Sequence, residues 1–254
     1  MLSKSLLALA ASVSGALAAT PAGFEPGSET SLVVTFGNVA ALDGVEVARE
    51  ITQTAPALAT QSKLDGSSFA VLMIDIDIPT NNPPQTSTLL HWMQTGLTQS
   101  SSASSLNTTT GSITAFVLSV PQDEAAFAPY LGPAPPARIP LSHRYTQILV
   151  DTSDASDEAL STLQTAAANR SAFSAETVLT SAGLADKVVA GNFFNVTNPG
   201  PVSDSTTNSS TSGGNGSSSG SSPSQSPVIG AAVAQRANAA LLAIMLAGVA
   251  FFAL

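Results

Sequence analysis

Cysteine is absent from this 254-residue chain, and the only imidazoles are His91 and His143. Without cysteine the protein forms no disulfide, thiolate zinc site or iron–sulfur cluster, and it has no cysteine nucleophile. Charged residues make up 10% of the chain, against about 25% in typical soluble domains. Its eight basic residues form no cluster beside 17 acidic ones. The net charge of −9 therefore argues against a nucleic-acid partner.

Glycine-rich phosphate loops and dinucleotide-binding motifs are also missing, so we expect no cofactor. The amino terminus has the pattern of a secretory signal peptide: Lys4, an apolar stretch over residues 6–17, and small residues at Ala16 and Ala18. We expect cleavage after about Ala18 or Ala19. A buried amino-terminal helix is the alternative.

The composition changes after residue 197, in the last fifth or so of the chain. From Asn198 to Pro227 it is rich in Ser, Thr, Gly, Asn and Pro, which is typical of a disordered stalk. The chain then has small residues from Gly230 to Ala232, a polar spacer and an apolar run from Ala239 to Leu254. This is the pattern of a glycosylphosphatidylinositol (GPI) attachment signal. A transmembrane helix is the alternative, but this run of 16 residues is shorter than the ~20 needed to span a bilayer.

These segments predict four regions and a location. We expect a secreted protein, GPI-anchored at Gly230 on the cell surface or in the cell wall. An upstream Ser or Gly in 215–222 is the alternative attachment site. The regions are a signal peptide (1–19), a folded domain (20–200), a stalk (201–229) and a removed anchor signal (230–254). Five Asn-x-Ser/Thr sequons offer glycosylation sites: Asn107, Asn169, Asn195, Asn208 and Asn215.

The folded region is predicted to be mainly β. Two segments have helical composition, 157–168 with Ser156 as N-cap region and 174–182 ending at Gly183. Strands are predicted from β-branched content and alternation at 31–36, 68–78, 89–94, 112–120, 145–150 and 188–194. Antiparallel sheets with a few helices are expected.

Asp75 and Asp77 stand at the end of the most apolar strand, before Pro79, which ends it. The period of two puts both carboxylates on one face, with Cα atoms roughly 6.5 to 7 Å apart. Carboxylates at the end of an apolar strand are costly without partners. A divalent-metal site, a polar pocket and a solvated strand end all fit this pattern.

The two histidines lie in different sequence surroundings, apolar at His91 and at the start of a strand for His143. His91 is next to the single tryptophan, Trp92, where a satisfied core histidine is the simplest interpretation. His143 and Tyr145 share one face of a strand, and Arg144 points to the other. A proline-rich segment, 130–136, precedes that strand as a stiff loop.

Together these motifs resemble the phosphatidylethanolamine-binding protein family, and among its members the secreted, fungal-type proteins with a GPI signal. The first family signature is an Asp-Pro-Asp-Ala-Pro strand end followed by a strand with His, matched by Asp75, Asp77, Pro79 and His91. The second is Gly-x-x-Pro-Pro, a short loop and His-Arg-Tyr, matched by Gly132, Pro135, Pro136, His143, Arg144 and Tyr145. The chain departs from the family at Ile76 and Ile78, which replace the usual Pro and Ala.

The resemblance implies a large antiparallel sheet packed with a smaller one and a surface pocket for phosphoryl head groups. The pocket would be lined by Asp75, Asp77, His91, His143 and Tyr145, with Pro79, Gly132, Pro135 and Pro136 in its loop. Adjacent carboxylates raise each other's pKa, so a protonated Asp would donate to the anion. We expect replacement of His143 or Asp75 by Ala to weaken binding with little loss of stability, as water can satisfy groups in an open pocket.

Several functions remain open at this stage. The leading one is a non-catalytic binder of a phosphate-containing head group, small anion or partner protein, held at the membrane by its lipid anchor. The resemblance also implies a serine carboxypeptidase inhibitor with a protease as partner. A metal-dependent hydrolase using Asp75, Asp77 and His91, and a surface display or wall protein, are further alternatives. No activated nucleophile is visible, so we expect no enzyme.

Overall fold

The computed structural model describes residues 19–120, 122 and 124–198. Most of the signal peptide, the stalk and the anchor signal, with Asn208, Asn215 and Gly230, therefore lie outside the described residues. Within them, none of the helices has both the length and the apolar character to cross a bilayer.

The described residues contain nine strands, and each pairs antiparallel with its neighbours. They are β1 (Leu32–Phe36), β2 (Val39–Ala40), β3 (Ala57–Thr60), β4 (Phe69–Pro79), β5 (Thr86–Gln99), β6 (Ser104–Thr108), β7 (Gly111–Ser119), β8 (Ser142–Asp151) and β9 (Val188–Thr197). The six predicted strands are confirmed, and β4 ends at Pro79 as predicted. Local sequence patterns did not predict β2, β3 and β6.

One hydrogen-bonded sheet contains all nine strands, in the order β2-β1-β3-β7-β5-β4-β8-β9, with β6 paired to β7. The long β5 pairs with β4 over residues 86–97 and with β7 through Thr98 and Gln99. It therefore joins a half made of β4, β5, β8 and β9 to a smaller half containing β1, β3 and β7. The expected large and small sheets are present as two halves of a continuous sheet.

The main core lies between these two halves. Val34 and Phe36 of β1 pack with Val71 and Met73 of β4 and with Phe194 of β9. Phe36 and Phe194 meet edge to face, with ring centroids 5.2 Å apart. Since β4 has residues 69–75 buried on both faces, its continuous apolar run in the sequence is explained.

Two helices cover the outer face of the larger half. They are α1 (Asp157–Ala167) and α2 (Ala175–Ser181), which pack Leu163 and Leu179 against Leu72 and Ile74 of β4. Ser156 caps α1 by accepting a hydrogen bond from the Ala159 N–H at 3.1 Å. After α2 the chain turns at Gly183, whose φ of +68° suits a residue without Cβ. Both predicted helices and their caps are confirmed.

Candidate functional site

The five residues predicted to line a pocket meet where β4, β5 and β8 run side by side. Asp75 of β4 pairs with Tyr145 of β8 and with Leu89 of β5. The five side chains are nonetheless buried, with relative exposures of 1% for Asp75, 6% for Asp77, 3% for His91 and 0% for His143 and Tyr145. The structure brings the predicted residues together in an enclosed polar cluster.

His143 and Asp75 form the buried pair at its centre. Nδ1 of His143 lies 2.7 Å from Oδ2 of Asp75, and Nε2 lies 3.2 Å from the carbonyl oxygen of Pro140. Because a carbonyl oxygen only accepts, Nε2 carries a hydrogen. The other hydrogen is shared between Nδ1 and the Asp75 carboxyl group, so the pair is neutral overall. The other Asp75 oxygen accepts the Asp77 N–H at 2.9 Å.

Because the pair is buried, alanine variants of His143 or Asp75 should lose much stability, whereas little loss was expected for an open pocket. Removing either His143 or Asp75 leaves its partner buried and uncompensated, which costs about 3 to 5 kcal/mol. Water cannot satisfy these groups as it would in an open pocket, since their side chains are 0% and 2% exposed. Alanine variants of either residue are therefore poor tests of ligand binding.

Asp77 engages a different partner from Asp75. Its Oδ2 accepts from the backbone N–H of Arg144 at 2.8 Å and from Nε at 2.7 Å, and its Oδ1 accepts from Nη2 at 2.7 Å. Burial alone would raise the pKa of Asp77, but the hydrogen bonds and charge of Arg144 outweigh it and hold this pKa below its ordinary value. Asp77 is therefore not the protonated carboxyl group that the carboxylate pair was expected to supply, because Arg144 stabilises its ionised form.

His91 is placed by a bulge in β5. Trp92 pairs with Met73 and Leu90 with Ile74, so His91 is the extra residue between consecutive pairs. Its Nδ1 lies 2.7 Å from the carbonyl oxygen of Leu131, and its backbone carbonyl accepts the Leu131 N–H at 2.8 Å. Burial lowers the pKa of His91 despite that hydrogen bond. Its Nε2 is buried and has no partner in the described part of the chain.

Tyr145 lies against both imidazoles. Its ring stacks between His143 and Phe194, with centroid distances of 6.5 and 5.6 Å, and meets the edge of His91 at 5.1 Å. Its hydroxyl is buried and makes no hydrogen bond of good geometry among residues 19–120, 122 and 124–198, although the Asp75 carboxyl group and the Ala134 backbone lie close enough to affect its pKa. Burial, and then the charge of nearby Asp75, raise the pKa of this phenol. The hydroxyl therefore stays protonated as a hydrogen-bond donor.

The proline-rich loop closes over the cluster. A Cβ on Gly132 would lie 3.0 Å from Cα of Gln53, so the close approach of the two segments favours glycine here. Gln53 also donates from Nε2 to the Pro133 carbonyl at 2.9 Å. Pro135 is buried and Pro136 is exposed. The 3₁₀ turn Arg49–Gln53 thus holds the loop that carries Leu131 to His91.

The two isoleucines that depart from the family signature lie away from the buried pair. Ile76 packs against the cluster beneath the helices, on the face of β4 opposite Asp75. Ile78 and Pro79 are half-buried at the end of β4. Ile76 therefore does not fill the space beside His91 and Tyr145.

Arg170 is a site residue that sequence reasoning missed. Its Nη1 donates to the carbonyls of Leu90 and His91 at 3.1 and 3.0 Å, and its Nη2 donates to that of Pro129 at 2.7 Å. One guanidinium thus ties the bulge of β5 to the segment that enters the proline-rich loop. Its place in the sequence, between the two helices, carries no motif that indicates this contact.

The hydrolase alternative required Asp75, Asp77 and His91 to share a metal ion. Asp75 and Asp77 are instead bonded to His143 and Arg144. Across the residues that the structure describes, no three His, Asp or Glu side chains are grouped to hold a metal ion.

The described sequons differ in their surroundings. Asn107 and Asn169 are exposed. Asn195 is half-buried in β9, where its Nδ2 donates to the Gly44 carbonyl at 2.8 Å. A glycan on that nitrogen would have to displace this contact, so Asn195 is a poor acceptor in the folded domain.

A comparison of the chain with family models identifies its class. The phosphatidylethanolamine-binding protein model matches residues 29–194, and the chain belongs to that family. It is also similar to phomoidride biosynthesis cluster protein N of Talaromyces stipitatus, with 31% identity over 190 residues that cover 69% of this chain and 88% of that protein.

The chain is also similar to two solved structures at low identity. One is a carboxypeptidase Y inhibitor complexed with its cognate proteinase, with a TM-score of 0.46 and 20% identity over 66% of this chain and 83% of the inhibitor chain. The other is a phosphatidylethanolamine-binding protein from Plasmodium vivax, with a TM-score of 0.43 and 16% identity over 65% of this chain and 84% of that one. Identities this low carry no inference about the ligand of this chain.

Proposed function

We propose that this protein binds a phosphate-like anion or phosphoryl head group without chemical transformation, at the cluster of Asp75, His91, His143 and Tyr145. The observation that carries the proposal is that two of the five buried side-chain atoms without a well-formed hydrogen bond in the described residues, Nε2 of His91 and the hydroxyl of Tyr145, lie on rings in contact with each other. An unsatisfied buried polar group costs about 1 to 3 kcal/mol. Two of them on contacting rings favour a site completed by a polar ligand.

Charge around the cluster also favours an anion. The His143–Asp75 pair is neutral, and Asp77 and Arg144 neutralise each other. The Arg170 guanidinium donates to three backbone carbonyls. Since carbonyl groups are uncharged, these hydrogen bonds do not neutralise its positive charge. Both unpartnered atoms are buried, so a ligand reaches them only if the structure around them moves.

The two tyrosines of the chain provide a matched test. The Tyr145 hydroxyl makes no hydrogen bond of good geometry in the described residues, whereas the Tyr130 hydroxyl donates to the Thr52 carbonyl at 2.8 Å. Tyr145→Phe should keep the melting temperature and weaken phosphate binding about 10-fold or more, the value of one hydrogen bond to a charged group. Tyr130→Phe should lower stability by about 1 kcal/mol and leave binding unchanged.

Isothermal titration calorimetry with inorganic phosphate, beside thermal unfolding of the same samples, measures both effects. The proposal fails if the wild-type protein gives no binding heat, or if Tyr145→Phe binds phosphate as tightly as the wild type.

Location is the second part of the proposal. A signal peptide at 1–19 and a GPI signal at 230–254 would place the domain outside the cell on a stalk, as sequence composition suggests. Release from intact cells by phosphatidylinositol-specific phospholipase C, or by nitrous acid where the inositol is acylated, would support the lipid anchor. Retention after both treatments would favour a transmembrane helix.

A further inference from the structure

His91 presents a lone pair, not a hydrogen, to the centre of the cluster. The Leu131 carbonyl can only accept, so the 2.7 Å contact fixes the hydrogen of the neutral ring on Nδ1. Nε2 is then an acceptor, and it is the atom left without a partner. An ionised phosphoryl oxygen is also only an acceptor, so it would meet this nitrogen with two lone pairs facing each other.

From this we infer that the ligand group at His91 brings its own hydrogen, and that the site selects a phosphomonoester or inorganic phosphate in its singly charged, P–OH form over a phosphodiester. The P–OH group donates to Nε2 of His91, while another phosphoryl oxygen accepts from the hydroxyl of Tyr145. The inference rests on the proposed function and specifies its ligand class. It departs from the family's name, because the head group of phosphatidylethanolamine is a phosphodiester.

The charges that face His91 support a single negative charge. Asp75 and His143 form a neutral pair, Tyr145 is an uncharged phenol, and Arg170 contributes one positive charge through its contact with the His91 carbonyl. A monoanion balances that charge. A dianion adds a second negative charge beside Asp75 in a buried site, which is costly.

Protonation of His91 would be the other way to supply a hydrogen. Burial first, and then the positive charges of Arg170 and His143, lower the pKa of His91, while the Leu131 carbonyl and Asp75 oppose that shift only in part. Above the resulting pKa, the neutral ring leaves the ligand to supply the hydrogen. A diester has no second acidic hydrogen to offer.

Two small ligands separate these cases. Methyl phosphate has a second ionisation near pH 6, so its monoanion is about 20-fold more abundant at pH 5.5 than at pH 7.5. Dimethyl phosphate has one charge at both pH values and no P–OH. With the intact protein, calorimetry should show methyl phosphate binding about 20-fold more tightly at pH 5.5, with uptake of about one proton at pH 7.5. Dimethyl phosphate should bind weakly at both.

Three outcomes would overturn the inference while leaving the proposed function standing. One is equal affinity for methyl and dimethyl phosphate. Another is a dimethyl phosphate affinity that rises as steeply on acidification, which would put the hydrogen on His91. The third is glycerophosphoethanolamine binding as tightly as methyl phosphate, which would make its ammonium the donor. Failure of every ligand to bind would instead refute the proposed function.

His91→Gln tests the same point from the protein side. The glutamine amide offers an N–H where His91 has only a lone pair, so this variant should bind dimethyl phosphate and lose the pH dependence for methyl phosphate. Tyr145→Phe is the control, because it should weaken binding and keep that pH dependence. A folded His91→Gln protein that retains the wild-type preference contradicts the inference, and the wild-type ligand series decides the matter if the variant fails to fold.

Discussion

Among single residues, Asp77 shows how one neighbour, Arg144, sets the protonation state of a carboxyl group. Its folded pKa is lower than its ordinary value of 3.8 because Arg144 holds the ionised form. A lowered carboxyl pKa contributes stability that is complete above 3.8 and is lost as the pH falls through the folded pKa. Asp77→Asn should therefore destabilise the protein by on the order of 1 kcal/mol at pH 7, and by less below pH about 3.8.

Urea unfolding at a series of pH values measures that difference. The exposed Asp186→Asn is the control and should change stability little at any pH. A difference between Asp77→Asn and the wild type that stays constant down to pH about 2 would mean that the pair with Arg144 contributes nothing.

At the same scale, the sequence predicted which residues lie together in the cluster but not which partners their side chains bind. His143 and Tyr145 share a face because strand geometry requires it, and the structure confirms this. The period of two also placed Asp75 with Asp77, yet their carboxylates bond to His143 and Arg144 respectively. Partner choice depends on the register of β8 against β4, a long-range property that a local pattern does not contain.

Between elements, Arg170 links the loop that joins the helices to β5 and the proline-rich loop. Burial is the main cause of the lowered pKa of His91, and the charge of Arg170 lowers that pKa further. Arg170→Met should therefore raise the pKa of His91 and cost about 3 kcal/mol, because three carbonyls lose a charged donor. Arg170→Lys keeps the charge, so it should lose stability while the pKa of His91 stays lowered.

Nuclear magnetic resonance titration of the imidazole signals and denaturant unfolding measure these two effects. Arg138→Met is the matched control, since Arg138 is exposed and bonds a single carbonyl, that of Thr80 at 3.2 Å. If Arg170→Met and Arg138→Met cost the same stability and leave the pKa of His91 unchanged, Arg170 does not position the site.

Elements with strong local patterns were predictable from the sequence, and those that depend on partners were not. The strand at 68–78 and the helix at 157–168 follow from composition and capping, which act within a few residues. By contrast, β3 (Ala57–Thr60) has four small or aliphatic residues and no alternation, and it is a strand because β1 and β7 flank it. The bulge that presents His91 likewise follows from pairing with β4.

For the whole molecule, the residues before the family match form part of the fold. The family model starts at residue 29, yet Ala19 and Thr20 are buried and the Thr20 hydroxyl accepts the Ser28 N–H at 3.0 Å. Gly191 of β9 lies so close to Thr20 that a Cβ there would be 2.5 Å from the threonine methyl. Phe24 packs against the core beneath the helices. The segment 19–28 is therefore expected to stabilise the domain.

Matched truncations test this expectation against the predicted stalk. Residues 19–200 should melt within a few degrees of residues 19–230, because the composition after residue 200 leaves little apolar surface to bury. Residues 29–200 should melt lower by more than about 5 °C, since losing Phe24 and the Thr20 contacts costs over 1 kcal/mol. Calorimetric melting of the three proteins decides the matter. Equal melting of 29–200 and 19–200 would show that the segment packs without stabilising, and a large loss on removing 201–230 would show that the stalk packs on the domain.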